Sequence, residues 1–156
     1  MSEPRWLDEL EMRAWRGFVR SRDTIAAAVG SDSVRDSNLT FVEYQVMAYL
    51  AESADNRMTF AELAAKLEWS QSRLSHQITR MSKRGLVARE PIPADARRTA
   101  ARLTEQGERV LAAAAPAHLR SVRRHMIDVL DREQLAALAD IYDTLLAHHR
   151  HSDRDG

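Results

Sequence analysis

Cysteine is absent from all 156 residues of the chain. That removes disulfides, thiolate metal centres and any switch that works by thiol oxidation. Glycine is scarce, with 5 residues, and nowhere forms the glycine-rich loop that cradles phosphates. No apolar run reaches the roughly 18 residues that a membrane span needs. The first residues alternate charge with bulk, unlike a signal peptide. These absences lead to the expectation of a cytoplasmic protein with no membrane partner. No nucleophile stands at a recognisable spacing from a base, and no paired carboxylates mark a cleft, so no catalytic residue and no cofactor are expected. An excess of one charge is lacking too, with 23 Lys and Arg against 23 Asp and Glu.

What is present is charge of both signs, unevenly placed. Residues 1–56 hold 6 basic against 10 acidic side chains, residues 57–109 hold 11 against 6, and residues 110–156 hold 6 against 7. The positive charge is concentrated in the middle of the chain, where attraction to phosphate would use it. At 156 residues one domain is the default, large enough to bury a substantial core.

Taken in order, residues 5–29 read as a long amphipathic helix with Trp6, Leu10, Trp15, Phe18, Val19, Ile25 and Val29 as its apolar set, ended by Gly30 to Ser33. Thr40-Phe41-Val42-Glu43 is a capping box that opens a helix to about Ala51, and Asp55-Asn56-Arg57 reads as a turn. Thr59-Phe60-Ala61-Glu62 is a second capping box, opening a helix to Leu67. Thr104 caps a third long helix that runs to about Leu130, with a kink expected at Pro116. Asp131 to Gln134 caps the last helix, striped by Leu135, Leu138, Ile141, Leu145 and Leu146 to about His149.

The stretch around which these elements are organised is Ser70 to Leu103. Leu74, Ile78 and Met81 give the helix Gln71 to Lys83 one apolar stripe. At about 100° per residue, Ser72, His76, Thr79 and Lys83 point directly away from it, with Arg73, Ser75 and Arg80 on the shoulders. That outer face bears no carboxylate. Ser70 can cap the start and Gly85 supplies the stop. Leu86 to Arg89 then reads as a strand, Glu90 to Arg98 as a loop, and Thr99 to Leu103 as a returning strand. Pro91 and Pro93 cannot donate to a ladder and belong in the tip, beside Asp95, Arg97 and Arg98. Two short helices, a polar helix and an arginine-tipped hairpin make a winged helix-turn-helix: the helix enters a major groove while the hairpin reaches the flanking backbone or minor groove.

The motifs in this stretch are specific. Lys83-Arg84-Gly85-Leu86-Val87, Asp95-Ala96-Arg97 and Leu103-Thr104-Glu105-Gln106-Gly107 stand in order, and with them the chain resembles the MarR family of bacterial transcription regulators over nearly its whole length. The fold expected is mainly α with a small two-stranded β wing, a winged helix-turn-helix with long N- and C-terminal dimerisation helices. Residues 1–156 would form a single domain, with 1–35 and 105–150 as dimerisation helices and 38–104 as the DNA-binding lobe. Three long apolar-faced helices would be poorly covered by so small a lobe, which independently favours a homodimer. Two recognition helices about one DNA turn apart would then meet a pseudo-palindromic operator.

On this reading the DNA contacts come from Ser70, Gln71, Ser72, Arg73, Ser75, His76, Thr79 and Arg80 on the helix, with Arg73 suited to bidentate guanine readout. In the wing they come from Asp95, Arg97 and Arg98; which arginine enters the minor groove is open. The plainer alternative for the helix is a solvated face, and for the wing a loop salt bridge of little weight. Resemblance also implies repression and release by a small aromatic acid, with Trp15, Arg16, Tyr44, Met47 and Trp69 as candidates to line its pocket. Those five are alternatively core residues. His118 and His125, seven apart on one helix, raise metal, but without cysteine and with an unanchored His148-His149-Arg150-His151 tail no metal site is expected. Two other classes compete: a winged helix retained only for protein contacts, against which the basic face stands, and an enzyme acting on a small aromatic substrate.

Overall fold

The computed structural model describes residues 4–92 and 94–152, apart from the side chains of Ala96, Arg97 and residues 150–152. Six α-helices and three short strands follow in the order α1 (Glu9–Ser37), α2 (Phe41–Ala51), β1 (Arg57–Thr59), α3 (Phe60–Leu67), α4 (Gln71–Lys83), β2 (Val87–Ile92), β3 (Asp95–Leu103), α5 (Glu105–His125) and α6 (Arg132–Ser152). Helices α2, α3 and α4 with the sheet form the winged-helix lobe, and α1, α5 and α6 lie outside it.

Capping chemistry sets most of the helix starts. Thr40 and Thr59 each accept the N3 backbone N–H while Glu43 and Glu62 reach back to the cap, as the sequence predicts. Asp131 and Gln134 exchange the same pair of bonds ahead of α6. A fourth box, Asp8 with Glu11, opens α1 at Glu9, four residues later than expected. Its other end is later still: α1 passes through Gly30 to Ser33 and stops at Asn38, which is left-handed at φ 54°. The polar run does not break the helix because Asp32 and Ser33 are buried, with the Asp32 carboxylate bonded across to α5.

The core gathers Leu39, Met47, Leu50, Leu63, Leu74, Ile78 and Met81, all fully buried. Burying each such side chain contributes about 2 kcal/mol, which is what fixes α4 to the lobe. The sheet has the order β1-β3-β2 and is antiparallel throughout. It corrects the expected hairpin in two ways. Arg57 is not the end of a turn but the start of β1, a three-residue strand paired with Ala100 to Arg102 and too short to show alternation. The wing strands also run farther than expected. Glu90 to Ile92 belong to β2, Asp95 to Arg98 belong to β3, and Pro91 pairs with Thr99. Proline is tolerated there because β2 is an edge strand and the register shifts at Pro91/Ile92. Pro93 lies outside the described residues.

Helix α5 extends across Pro116 but ends at His125, earlier than Leu130, and a 3-10 turn at Ile127–Val129 leads to α6. No residue of α6 through His149 is buried. Among the described residues no helix is long and apolar enough to cross a membrane.

Candidate nucleic-acid interface

Helix α4 presents Gln71, Ser72, Arg73, His76, Thr79, Arg80 and Lys83 to solvent, with Ser75 half-buried and Leu74, Gln77, Ile78 and Met81 turned inward. Ser70 caps it, its hydroxyl accepting the Arg73 N–H at 3.2 Å. No acidic residue stands in its first turn, so the positive end of the helix dipole is left uncompensated toward solvent. Arg73 does not wave freely. Its guanidinium lies 3.9 Å from the Trp69 ring centroid, a cation–π contact that holds the side chain at the helix start. Arg80 donates to the buried Gln77 carboxamide oxygen, which draws it toward the helix body.

The wing brings in a residue that the sequence reading left unassigned. Arg89 on β2 donates from Nη2 to the Ser75 carbonyl at 2.7 Å, the Ser75 hydroxyl at 3.0 Å and the Thr79 hydroxyl at 2.6 Å, with its guanidinium 5.2 Å from the Phe60 ring centre. One arginine thus ties the wing to α4 and engages two side chains that had been candidates for DNA contact. The only trace of this in the sequence is the place of Arg89 two residues beyond the buried Val87, where a strand continues.

Asp95 and Arg98 are exposed on β3. Arg98 turns back from the wing to share a small concavity with Thr59, Phe60, Ala61 and Gln71, and its charge helps hold Glu62 below the usual carboxylate range, after the larger effect of the Thr59 hydrogen bonds. The side chain of Arg97 lies outside the described residues. The turn from α4 into the wing is pinned by Thr104, whose hydroxyl donates toward the Gly85 and Leu86 carbonyl oxygens and accepts the Gly107 N–H. The Thr-x-x-Gly motif is therefore a clamp on the base of the wing.

Away from that surface, Asp32 joins α1 to α5. Its Oδ2 accepts the Ser121 hydroxyl at 2.7 Å and lies 2.9 Å from His125 Nε2, while Oδ1 meets Arg35 at 2.8 Å. The Ser121 hydrogen bond, then His125, holds this carboxyl well below its ordinary value. The five pocket candidates have separate neighbours. Trp15 is 56 % exposed beside Phe18, and Met47 is in the core. Tyr44 stacks on His118 with ring centroids 3.8 Å apart, and Trp69 lies under Arg73. Arg16 lines an open concavity with Glu9, Met12, Arg13, Arg20 and Ile25, all on α1. Among the described residues no three His, Asp or Glu side chains are placed to hold a metal ion.

Comparison with known proteins places this geometry. A profile described as MarR family matches residues 37–98, the lobe and most of the wing. Transcriptional regulator HosA from Escherichia coli O111:H- is 39 % identical over 80 residues, which cover 51 % of this chain and 57 % of that protein. The crystal structure of Sco3205, a MarR family transcriptional regulator from Streptomyces coelicolor in complex with DNA, superposes with a TM-score of 0.87 at 35 % identity, covering 94 % of this chain and 91 % of that one. AbsC, a MarR family transcriptional regulator from the same organism, superposes with a TM-score of 0.87 at 38 % identity, covering 95 % of this chain and 99 % of that one. Shared identity at that level over almost all of AbsC shows that the chain belongs to the MarR family of transcription regulators.

Proposed function

We propose that this protein is a sequence-specific regulator that binds double-stranded DNA as a homodimer and represses from a pseudo-palindromic operator. The observation that carries the reading is the outer face of α4: Gln71, Ser72, Arg73, His76 and Arg80 exposed together, without a carboxylate, beside an arginine-bearing wing. Guanidinium, carboxamide and imidazole groups on one helix face match the donors and acceptors of a major groove. The likeness to Sco3205, whose structure holds DNA, supports it.

Dimerisation is supported by the apolar surface that the chain leaves uncovered. Trp6, Leu10, Trp15 and Phe18 near the start, and Ile141, Tyr142, Leu145 and Leu146 on α6, are all exposed. A long helix with no buried residue through His149 has no reason to keep its place within one subunit. A small aromatic acid that releases the DNA completes the proposal. The arginines of the α1 concavity, flanked by Met12 and Ile25, offer a guanidinium beside apolar wall for such a carboxylate.

Selection of bound duplexes from a random pool, followed by titration of the winner at two salt concentrations, tests the reading. It expects an inverted repeat with half-sites about ten base pairs apart, bound more weakly as salt rises. No enriched sequence would overturn it and leave the winged helix as a protein-contact module. Benzoate titrated into the complex tests release, and undiminished binding at saturation would remove that part alone.

A further inference from the structure

The end of the recognition helix is fastened to the start of α2, within the lobe, and to the stop of α1, outside it, by the guanidinium of Arg84. Arg84 is the C-cap of α4. Its Nη1 lies 2.7 Å from Glu43 Oε2, and its Nη2 donates to the Asn38 carbonyl oxygen at 2.8 Å. These partners are 41 and 46 residues away in sequence. Neither is an ordinary surface group. The Glu43 side chain is 8 % exposed and its Oε2 also accepts the Thr40 N–H at 2.9 Å, so it holds the first turn of α2. Asn38 is the left-handed residue that ends α1. The guanidinium therefore spans three element ends: the C-cap of α4, the stop of α1 and the start of α2.

Because Glu43 is fixed by its own capping bonds and Asn38 by a left-handed backbone, neither acceptor can follow α4 if it swings. A bidentate guanidinium on two rigid acceptors defines direction as well as distance. Helix α1 in turn is joined to α5 through Asp32, Ser121 and His125. The tether thus sets the angle of α4 against α1, whose exposed apolar start is part of the surface proposed above to join two copies.

We infer that Arg84 and Glu43 are positioning residues that fix the separation of the two recognition helices, and with it the half-site spacing that the dimer accepts. Neither residue needs to touch a base to do so. The inference rests on the homodimer reading. Its test uses duplexes that carry the selected half-sites at centre-to-centre separations from about 9 to 12 base pairs, and one duplex with a single half-site. The full-length protein is compared with Arg84→Met and Glu43→Gln. Glutamine at N3 keeps the capping box while removing the charge that Arg84 meets, so this variant stays informative even if Arg84→Met proves poorly folded in a thermal melt.

Wild type is expected to prefer one spacing. In both variants the ratio of affinity at that spacing to affinity at its neighbours should fall about fivefold or more, with binding to the single half-site unchanged. An unaltered spacing profile in Glu43→Gln overturns the inference, as does equal loss on every duplex, the single half-site included. A wild type that sediments as a monomer and shows no spacing preference removes the homodimer reading itself, which sedimentation distinguishes from failure of the tether alone.

Discussion

Arg73 and Trp69 act as one unit. An arginine held over an indole keeps its fork pointed while it waits for a base, so less rotamer freedom is lost on binding. Arg73→Ala should relax preference at one position per half-site, at a loss of about 1–3 kcal/mol per half-site. Trp69→Ala should relax the same position by a smaller amount, since the fork survives but its aim does not. Arg97→Ala with Arg98→Ala should instead weaken binding to most sequences and lower the salt slope. Titrating these variants against single-base operator substitutions at two salt concentrations separates the effects, and identical behaviour would refute the division between readout and positioning. Asp32 makes a second residue-scale prediction. Its folded-state pKa is depressed, so the stability it contributes is present above the ordinary carboxyl value of 3.8 and is lost as pH falls below it. Burial likewise lowers the His118 pKa from 6.5, so stability drops as pH passes below that value and the unfolded chain takes up the proton more readily. Urea midpoints measured from pH 7.5 downward should therefore fall in two stages. His118→Phe should remove the stage near neutrality, and Asp32→Asn should shrink the acid one, to which Glu62 also contributes.

Gly107 governs how helix α5 meets the wing. A Cβ there would collide with the Leu86 carbonyl oxygen and sit 2.7 Å from the Leu103 side chain. Backbone cannot move aside as a flexible side chain can, so Gly107→Ala should cost about 3 kcal/mol, read as a lowered urea midpoint with unchanged slope. At Gly85, with φ +72°, the nearest atoms a Cβ would meet belong to the flexible Gln106 side chain, so the glycine owes its place mainly to the backbone. The elements that were legible in the sequence are those whose signals are local. Thr40 with Glu43, Thr59 with Glu62, and Ser70 and Thr104 as caps mark their helices within four residues. What was not legible depends on distant partners. Gly30 to Ser33 carry the chemistry of a helix end, yet α1 continues because Ser121 and His125, some ninety positions on, take up Asp32. Strand β1 exists only because β3 lies beside it. For the interface, the face of α4 follows from periodicity alone, whereas the hydrogen bonding of Ser75 and Thr79 by Arg89 is a tertiary event that no spacing encodes.

At the scale of the whole molecule, the winged-helix lobe is closed and the rest is open. The exposed large apolar residues sit on α1, α5 and α6 and the segments that adjoin them, while the lobe hides nearly all of its own. Ile141→Asp with Leu145→Asp should place two carboxylates on the surface proposed to join two copies. The expected outcome in sedimentation is a monomer that keeps a folded lobe, with affinity for an inverted repeat reduced to about that for one half-site. A dimer that persists would move the interface elsewhere.

The wing has a further consequence. It is a slender pair of strands, and β2 forms one free edge of its sheet. Such an edge is an invitation to any other strand at high concentration. Here the edge answers with Pro91, which has no N–H to offer, with a register shift immediately after it, and with Arg89 and Glu90 just before it. A stranger laid along β2 would find its ladder interrupted within a few residues. The same proline that made the stretch look like a loop thus guards the bare strand against edge-to-edge pairing with its neighbours.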